Sequence, residues 1–405
     1  MKKLLLATAV AALSVSAANA APTVYGKIFM TADYVDSELD FADAEENRLF
    51  GYKEDGTQIN SNSSRIGFKG SEAMTANTDV IYQLEYGIDV DADDNQTFKN
   101  RDTFLGVKNN TFGEFRVGNN QSTTDYVNNV VTAGNGFWDN LGTSVNSIGI
   151  SNLELVYDED EDEVYWEGDL DVPALNMADS RRVGNSIVWK APQVAGVPVQ
   201  FAAMYANDDD IKGKNDSGWG VSAMFDQGTG FTAGLAYDDD VNIAGSIIRG
   251  TATVDLAKVA NFGLPLTLGA LYQEADFDKG AYGNSDFGLD ILGMFNTDLG
   301  FNGVTGQKKE KGYILSAAMG LNNFAKPATI YTQYNNTTNI AGINDLDSDQ
   351  IVVGGTYSYK PNMIVHAYVG QNDAEYKGNA DYDLNFLGNF DSKVFAVGAG
   401  LEYKF

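Results

Sequence analysis

The sequence predicts an all-β protein, a transmembrane antiparallel β-barrel of about 16 strands with a long inward-folded loop. Three observations predict it. The chain opens on an export signal, apolar residues recur at every second position along much of it, and its connections alternate between short and long. The final stretch "KVFAVGAGLEYKF" (393–405) shows the pattern best, with Phe395, Val397, Ala399, Leu401, Tyr403 and Phe405 on one face.

Residues 1–20, "MKKLLLATAVAALSVSAANA", read as a signal peptide. Lys2 and Lys3 precede an apolar run, and Ala18-Asn19-Ala20 supplies an A-x-A cleavage site. A membrane anchor fits less well, because the run is short and no stop-transfer pattern follows. The mature chain is then 21–405, a single barrel. Its 56 acidic residues against 27 basic ones exclude a nucleic-acid partner. With no cysteine there is neither a disulfide framework nor a thiol nucleophile. Abundant glycine, tyrosine and phenylalanine (43, 21 and 22) with 7 prolines favour strands over helices.

In chain order, "VYGKIFMTADY" (24–34) opens the strand series, with Ile28, Met30, Ala32 and Tyr34 opposite Lys27, Phe29, Thr31 and Asp33. Further strands are expected near 58–70, 79–91, 98–108 and 113–120, then 181–192, 197–207, 216–226, 230–239 and 243–256. The last six lie near 264–277, 311–322, 327–336, 348–359, 362–373 and 391–405. Turns such as "NNTFG" (109–113) and "KPN" (360–362) alternate with polar loops such as 36–57 and 276–300. Short turns on one rim and long loops on the other mark an outer-membrane barrel. A soluble sandwich or β-helix would not explain that rhythm, and no 20–50-residue repeat is visible. In hydrocarbon every backbone group must be paired, so the last strand has to close on the first.

Residues 121–180 are too long for a connector. A tube of this size leaves an aqueous channel, and a loop folded inward would narrow it. Its second half carries an acidic insertion, "YDEDEDEVYWEGDLD" (157–171).

From "VYGKIFMTADY" through "SSRIGFKGSE" (63–72), "KNRDTFLGVK" (99–108) and "GEFRVGNN" (113–120) to the final "GLEYKF", the chain resembles the trimeric general porins of Gram-negative outer membranes. The resemblance implies a homotrimer, set among outer-membrane lipid and lipopolysaccharide, that passes small hydrophilic solutes and ions passively. It also implies a third external loop, folded into the barrel, whose acidic groups face a basic ladder. Matched by motif, the ladder falls on Lys27, Arg65, Arg101 and Arg182. Alternation points Lys27, Arg65 and Arg101 away from lipid, where an arginine would cost about 2–4 kcal/mol at mid-bilayer. The "PEFGGD" loop tip of enterobacterial members is missing, and Asp125 and Asp139 are the nearest acidic candidates. Phe405 would belong to the assembly signal. A substrate-specific channel, or a barrel serving mainly as adhesin or receptor, stays open as an alternative.

No metal or cofactor is expected. Asp158, Asp160 and Asp162 match the start of a calcium loop, yet Glu163 stands where glycine is required and Asp169 where glutamate is. Catalysis is not expected either. His366 is the sole histidine, lies mid-strand, and no G-x-S-x-G elbow accompanies it.

Overall fold

A computed structural model describes residues 22–42, 48–90, 98–132, 136–138, 150–158, 163–170, 174–192, 196–207, 217–260, 263–278, 309–342, 344–377 and 389–405. The expected signal peptide lies outside them. Strand β1 (Thr23–Ala42) is followed by β2 (Arg48–Ser61), β3 (Arg65–Thr75), β4 (Thr78–Gly87), β5 (Lys99–Asn109) and β6 (Gly113–Gln121). Two strands, β7 (Ile150–Asp158) and β8 (Glu163–Leu170), pair only with each other. The wall resumes with β9 (Arg182–Lys190), β10 (Val199–Ala206), β11 (Gly218–Asp226), β12 (Phe231–Asp239) and β13 (Gly245–Asp255). It ends with β14 (Leu266–Phe277), β15 (Glu310–Leu321), β16 (Ala328–Thr338), β17 (Leu346–Lys360), β18 (Met363–Lys377) and β19 (Asn389–Lys404).

Each wall strand runs antiparallel to its neighbours, and β1 pairs with β19 from Lys27↔Lys404 to Ala42↔Asn389, so the sheet closes. On its other edge β1 pairs with β3 over Thr23–Lys27 and with β2 from Met30 onward. Thus β2 and β3 together occupy one wall position, which makes the barrel sixteen-stranded. The sequence suggests one unbroken strand over 58–70. The chain instead steps out of register at Asn62-Ser63-Ser64, where Ser63 has φ 49° and Phe29 N donates to Ser64 Oγ at 3.0 Å. The β7–β8 hairpin was not anticipated either. Its strand formers, Leu155-Val156-Tyr157 against Val164-Tyr165-Trp166, flank the acidic run directly.

Alternation decides what each face meets. Leu105, Val117, Ile187, Leu235, Ile248, Leu315, Ile351 and Leu401 project outward and stay exposed, forming the apolar belt that lipid covers. Residues of opposite parity face the lumen. Polar lumen positions such as Gln273, Gln333, Gln350 and Asn372 are buried, because residues 122–132 and 174–181 lie against them.

Candidate functional site

The charged wall is built from β1, β3, β4, β5, β9 and β19. Arg65 and Arg101 share one carboxylate: Arg101 Nε lies 2.7 Å from Glu85 Oε1 and Arg65 Nε 3.9 Å from Glu85 Oε2. Tyr25 Oη also donates to Glu85 Oε2 at 2.9 Å. Beside them Arg182 Nε meets Asp102 Oδ1 at 2.8 Å. Lys27 sits opposite Arg65 in register, with its Nζ 3.6 Å from Glu402 Oε2. The four basic residues picked from sequence therefore form one contiguous group.

Arg101 does face the lumen as expected, but plain alternation is not the reason: counted unbroken from the exposed Leu105 it would turn Arg101 toward lipid. The β4–β5 register shifts between Leu84↔Thr103 and Tyr86↔Asn100, so Glu85 alone faces both Arg101 and Asp102. Such a bulge brings two consecutive side chains toward one partner. It is the local device that lets Arg101 reach Glu85 while Asp102 reaches Arg182.

Across the lumen the loop lies flat on the wall from β10 to β19. Its one-turn 3₁₀ segment, Thr123–Val127, packs on β10 to β13, and Thr123 Oγ1 hydrogen-bonds Asp238. Val130 packs with Leu271 and Ile314, its carbonyl accepting from Ser316 Oγ at 2.6 Å. Thr132 N then donates to Gln333 Oε1 at 3.0 Å. Phe137 and Trp138 complete the outward course, edge to face with centroids 5.2 Å apart, among Val35, Leu39, Tyr368 and Ala396.

The return course is fixed as closely. Asn372 brackets Leu175, accepting from its N at 3.1 Å and donating to its O at 2.9 Å. Asn176 Nδ2 donates to Gln350 Oε1 at 2.9 Å, and Ala178 N to Glu310 Oε1 at 2.8 Å. Arg181 Nε donates to Val241 O at 2.9 Å just before β9 begins.

Asp125 lies on this loop, half-buried, and accepts from Ser180 Oγ at 3.0 Å, so it braces the two courses. Asp139 falls outside the described residues. Phe405 sits at the seam: Gly26 N donates to Phe405 O at 2.9 Å and Phe405 N to Gly26 O at 3.0 Å. Sequence reasoning missed Glu85, Asp102, Glu402 and Arg249. The signal for the first two was present, since each is a carboxylate within the strand motif of a ladder arginine or a neighbouring strand. Arg249 is fully buried under the loop, donating to Gln273 Oε1 at 2.8 Å and Thr124 O at 3.3 Å.

A closed antiparallel barrel with an apolar outer belt, a charged lumen and a wall-bound inner loop defines a channel of the outer membrane. The family model for Gram-negative porins matches residues 7–402, and the chain belongs to that family. It is 23% identical over 443 residues to outer membrane porin N of Escherichia coli (strain K12), each chain covered in full. To outer membrane protein F of Serratia marcescens it is 23% identical over 433 residues, again with full coverage of both. Among solved structures, an anion-selective porin from Comamonas acidovorans superposes with a TM-score of 0.59 at 17% identity, covering 96% of this chain and 100% of that one. The protein is a passive-diffusion channel in the outer membrane of a Gram-negative bacterium.

Proposed function

We propose that this is a general porin, working as a homotrimer, whose solutes pass between the charged wall and the inner loop. The supporting observation is an asymmetry of exposure. The Arg65, Arg101 and Arg182 side chains are 29%, 19% and 26% exposed, whereas Arg249, across the lumen, is sealed beneath the loop. Small hydrophilic solutes and ions then meet the first three. Lys27, only 5% exposed, acts through its field rather than by contact. Residues 1–20 serve as signal peptide, and 121–180 as constriction loop with Asp125 on its lumen course. Outer-membrane lipid and lipopolysaccharide cover the belt. His366 supports no catalytic role: its ring packs on Phe29 at 4.5 Å and its Nε2 lies 3.8 Å from Glu402, which pairs with Lys27.

Planar-bilayer conductance of the purified protein tests the reading. The parent should insert in steps of three large conductances, and a small, solute-blocked current would mark a specific channel instead. Arg101→Ala should raise conductance and cation preference, because Glu85 keeps its charge and loses its nearest cation. An unchanged current with a lost trimer would move Arg101 from lumen to scaffold.

The acidic run makes a separate expectation. Hairpin β7–β8 places Asp158 opposite Glu163, and the run from one to the other, both included, is six consecutive carboxylates. The flanking chain is held at Trp138 and Leu175, in the half of β18 nearer the long-loop rim for Leu175. Such a run near the channel mouth concentrates cations over a screening length of about 8 Å at physiological salt and about 3 Å at 1 M. Replacing residues 158–163 by their amides should lower cation preference at about 0.05 M salt and do little at about 1 M. A loss that persisted at high salt would put the carboxylates in direct contact with permeating ions.

A further inference from the structure

A basic ladder implies a wall of one sign, and the described wall is not of one sign. In order around the barrel it reads Glu402, Lys27, Arg65, Glu85, Arg101, Asp102, Arg182. Each carboxylate is paired with at least one cation, and Glu402 also holds Lys404. A carboxylate held at ion-pair distance turns each arginine from an isolated charge into one end of a dipole, and a dipole's field falls off faster with distance than a single charge's. A permeating ion that meets these arginines therefore meets each together with its carboxylate.

We infer that Glu85 and Asp102 are the selectivity-setting residues of this channel, neutralising the exposed arginines pair by pair and keeping it from preferring anions. The inference rests on the porin reading above and goes beyond it by assigning selectivity to wall carboxylates. Three observations carry it. Glu85 touches two arginines at once, and it is 7% exposed, so its own charge is spent on them rather than on solutes. Asp102 holds Arg182 at hydrogen-bond distance. The bulge in the β4–β5 pairing turns Arg101 onto Glu85 while Asp102 keeps its lumen position beside Arg182, so the arginine enters the row already matched to a carboxylate.

The test is the reversal potential of the bilayer channel under a KCl gradient, for the parent, Glu85→Gln, Asp102→Asn and the double variant. Each amide keeps an oxygen for its arginine, so the pairing geometry has a partner. One uncovered charge about 6 Å from a passing ion shifts cation and anion occupancy oppositely by about threefold each in water, which screening reduces. Each single variant should therefore lower the potassium-to-chloride permeability ratio about fivefold at 0.1 M and much less at 1 M, with trimer heat resistance close to parent.

If the parent conducts and the double variant keeps the parent's reversal potential, the inference fails and the porin reading stands. If the parent itself does not conduct, the porin reading fails first. Variants that do not assemble with either amide would assign the carboxylates to folding and overturn the inference. Glu114→Gln, whose carboxylate pairs with Arg116 nearer the short-turn rim, is the position control. A shift equal to that of Glu85→Gln would show a diffuse charge effect and also overturn it.

Discussion

Replacing Trp138 with alanine should widen the channel and make its current noisy, while lowering barrel stability by about 3–5 kcal/mol, the usual cost of deleting a buried indole. Trp138 is 1% exposed, inside the lumen, packed against Phe137 and the inner faces of β1, β18 and β19. Its Nε1 donates to Ala396 O at 3.4 Å. The ring lies over Gly370, where a Cβ would come within 2.6 Å of the indole, so glycine there is what makes room for it. Trp138 is the last described wall contact of the outward course, and Leu175 opens the return. Without the indole, Phe137, Ala174 and Leu175 are left to hold the two courses in this cluster among the described residues. Gly370→Ala should displace the same ring from the opposite side and give a milder form of the same phenotype. Single-channel recording beside thermal dissociation of the trimer checks both variants. A destabilised barrel with unaltered conductance would mean that the loop keeps its course without this anchor.

How much of this was legible beforehand follows from the range of the interactions. The barrel shows in sequence because alternation is local: Leu105 and Val117 announce an outer face whatever the rest of the chain does. The inner loop shows through its length alone. Its anchors do not, because Trp138 bonds Ala396 and Asn372 brackets Leu175 across separations of 258 and 197 residues. "NGFWDN" gives no hint that its tryptophan faces the lumen. The ladder arginines were found by motif, but their partners depend on register. Glu85 reaches Arg101 and leaves Asp102 for Arg182 only because the β4–β5 pairing slips by one residue, and a bulge has no reliable signature in a single strand. A second interruption, between Gly118 and Asn120 on the β6–β9 pairing, lies close to Arg182 in the same way, with Asn185 at φ 42°.

Removal of Phe405 should cripple assembly far more than it changes any pore that does assemble. The last residue makes two backbone hydrogen bonds to Gly26, one in each direction, and these finish the seam between β19 and β1. Its ring covers Gly26, whose missing Cβ would sit 2.5 Å from the ring carbon Cζ, and it stacks on Tyr403 with centroids 6.4 Å apart. Both rings are exposed on the outer face, at the short-turn rim where aromatic girdles meet the membrane interface. Unpaired backbone in a lipid-facing sheet costs several kcal/mol per group, and the seam is where closure brings the first and last wall strands together. Two variants separate the contributions. Phe405→Ser keeps the backbone bonds and loses the ring, whereas deletion loses both. The folded fraction in outer-membrane preparations, read from heat-modifiable mobility, should fall for the serine variant and collapse for the deletion. The few deletion barrels that form should conduct like the parent, because the arginine row and the inner loop lie elsewhere in the lumen. Parental amounts of folded barrel from the deletion would show that the seam closes without its last residue.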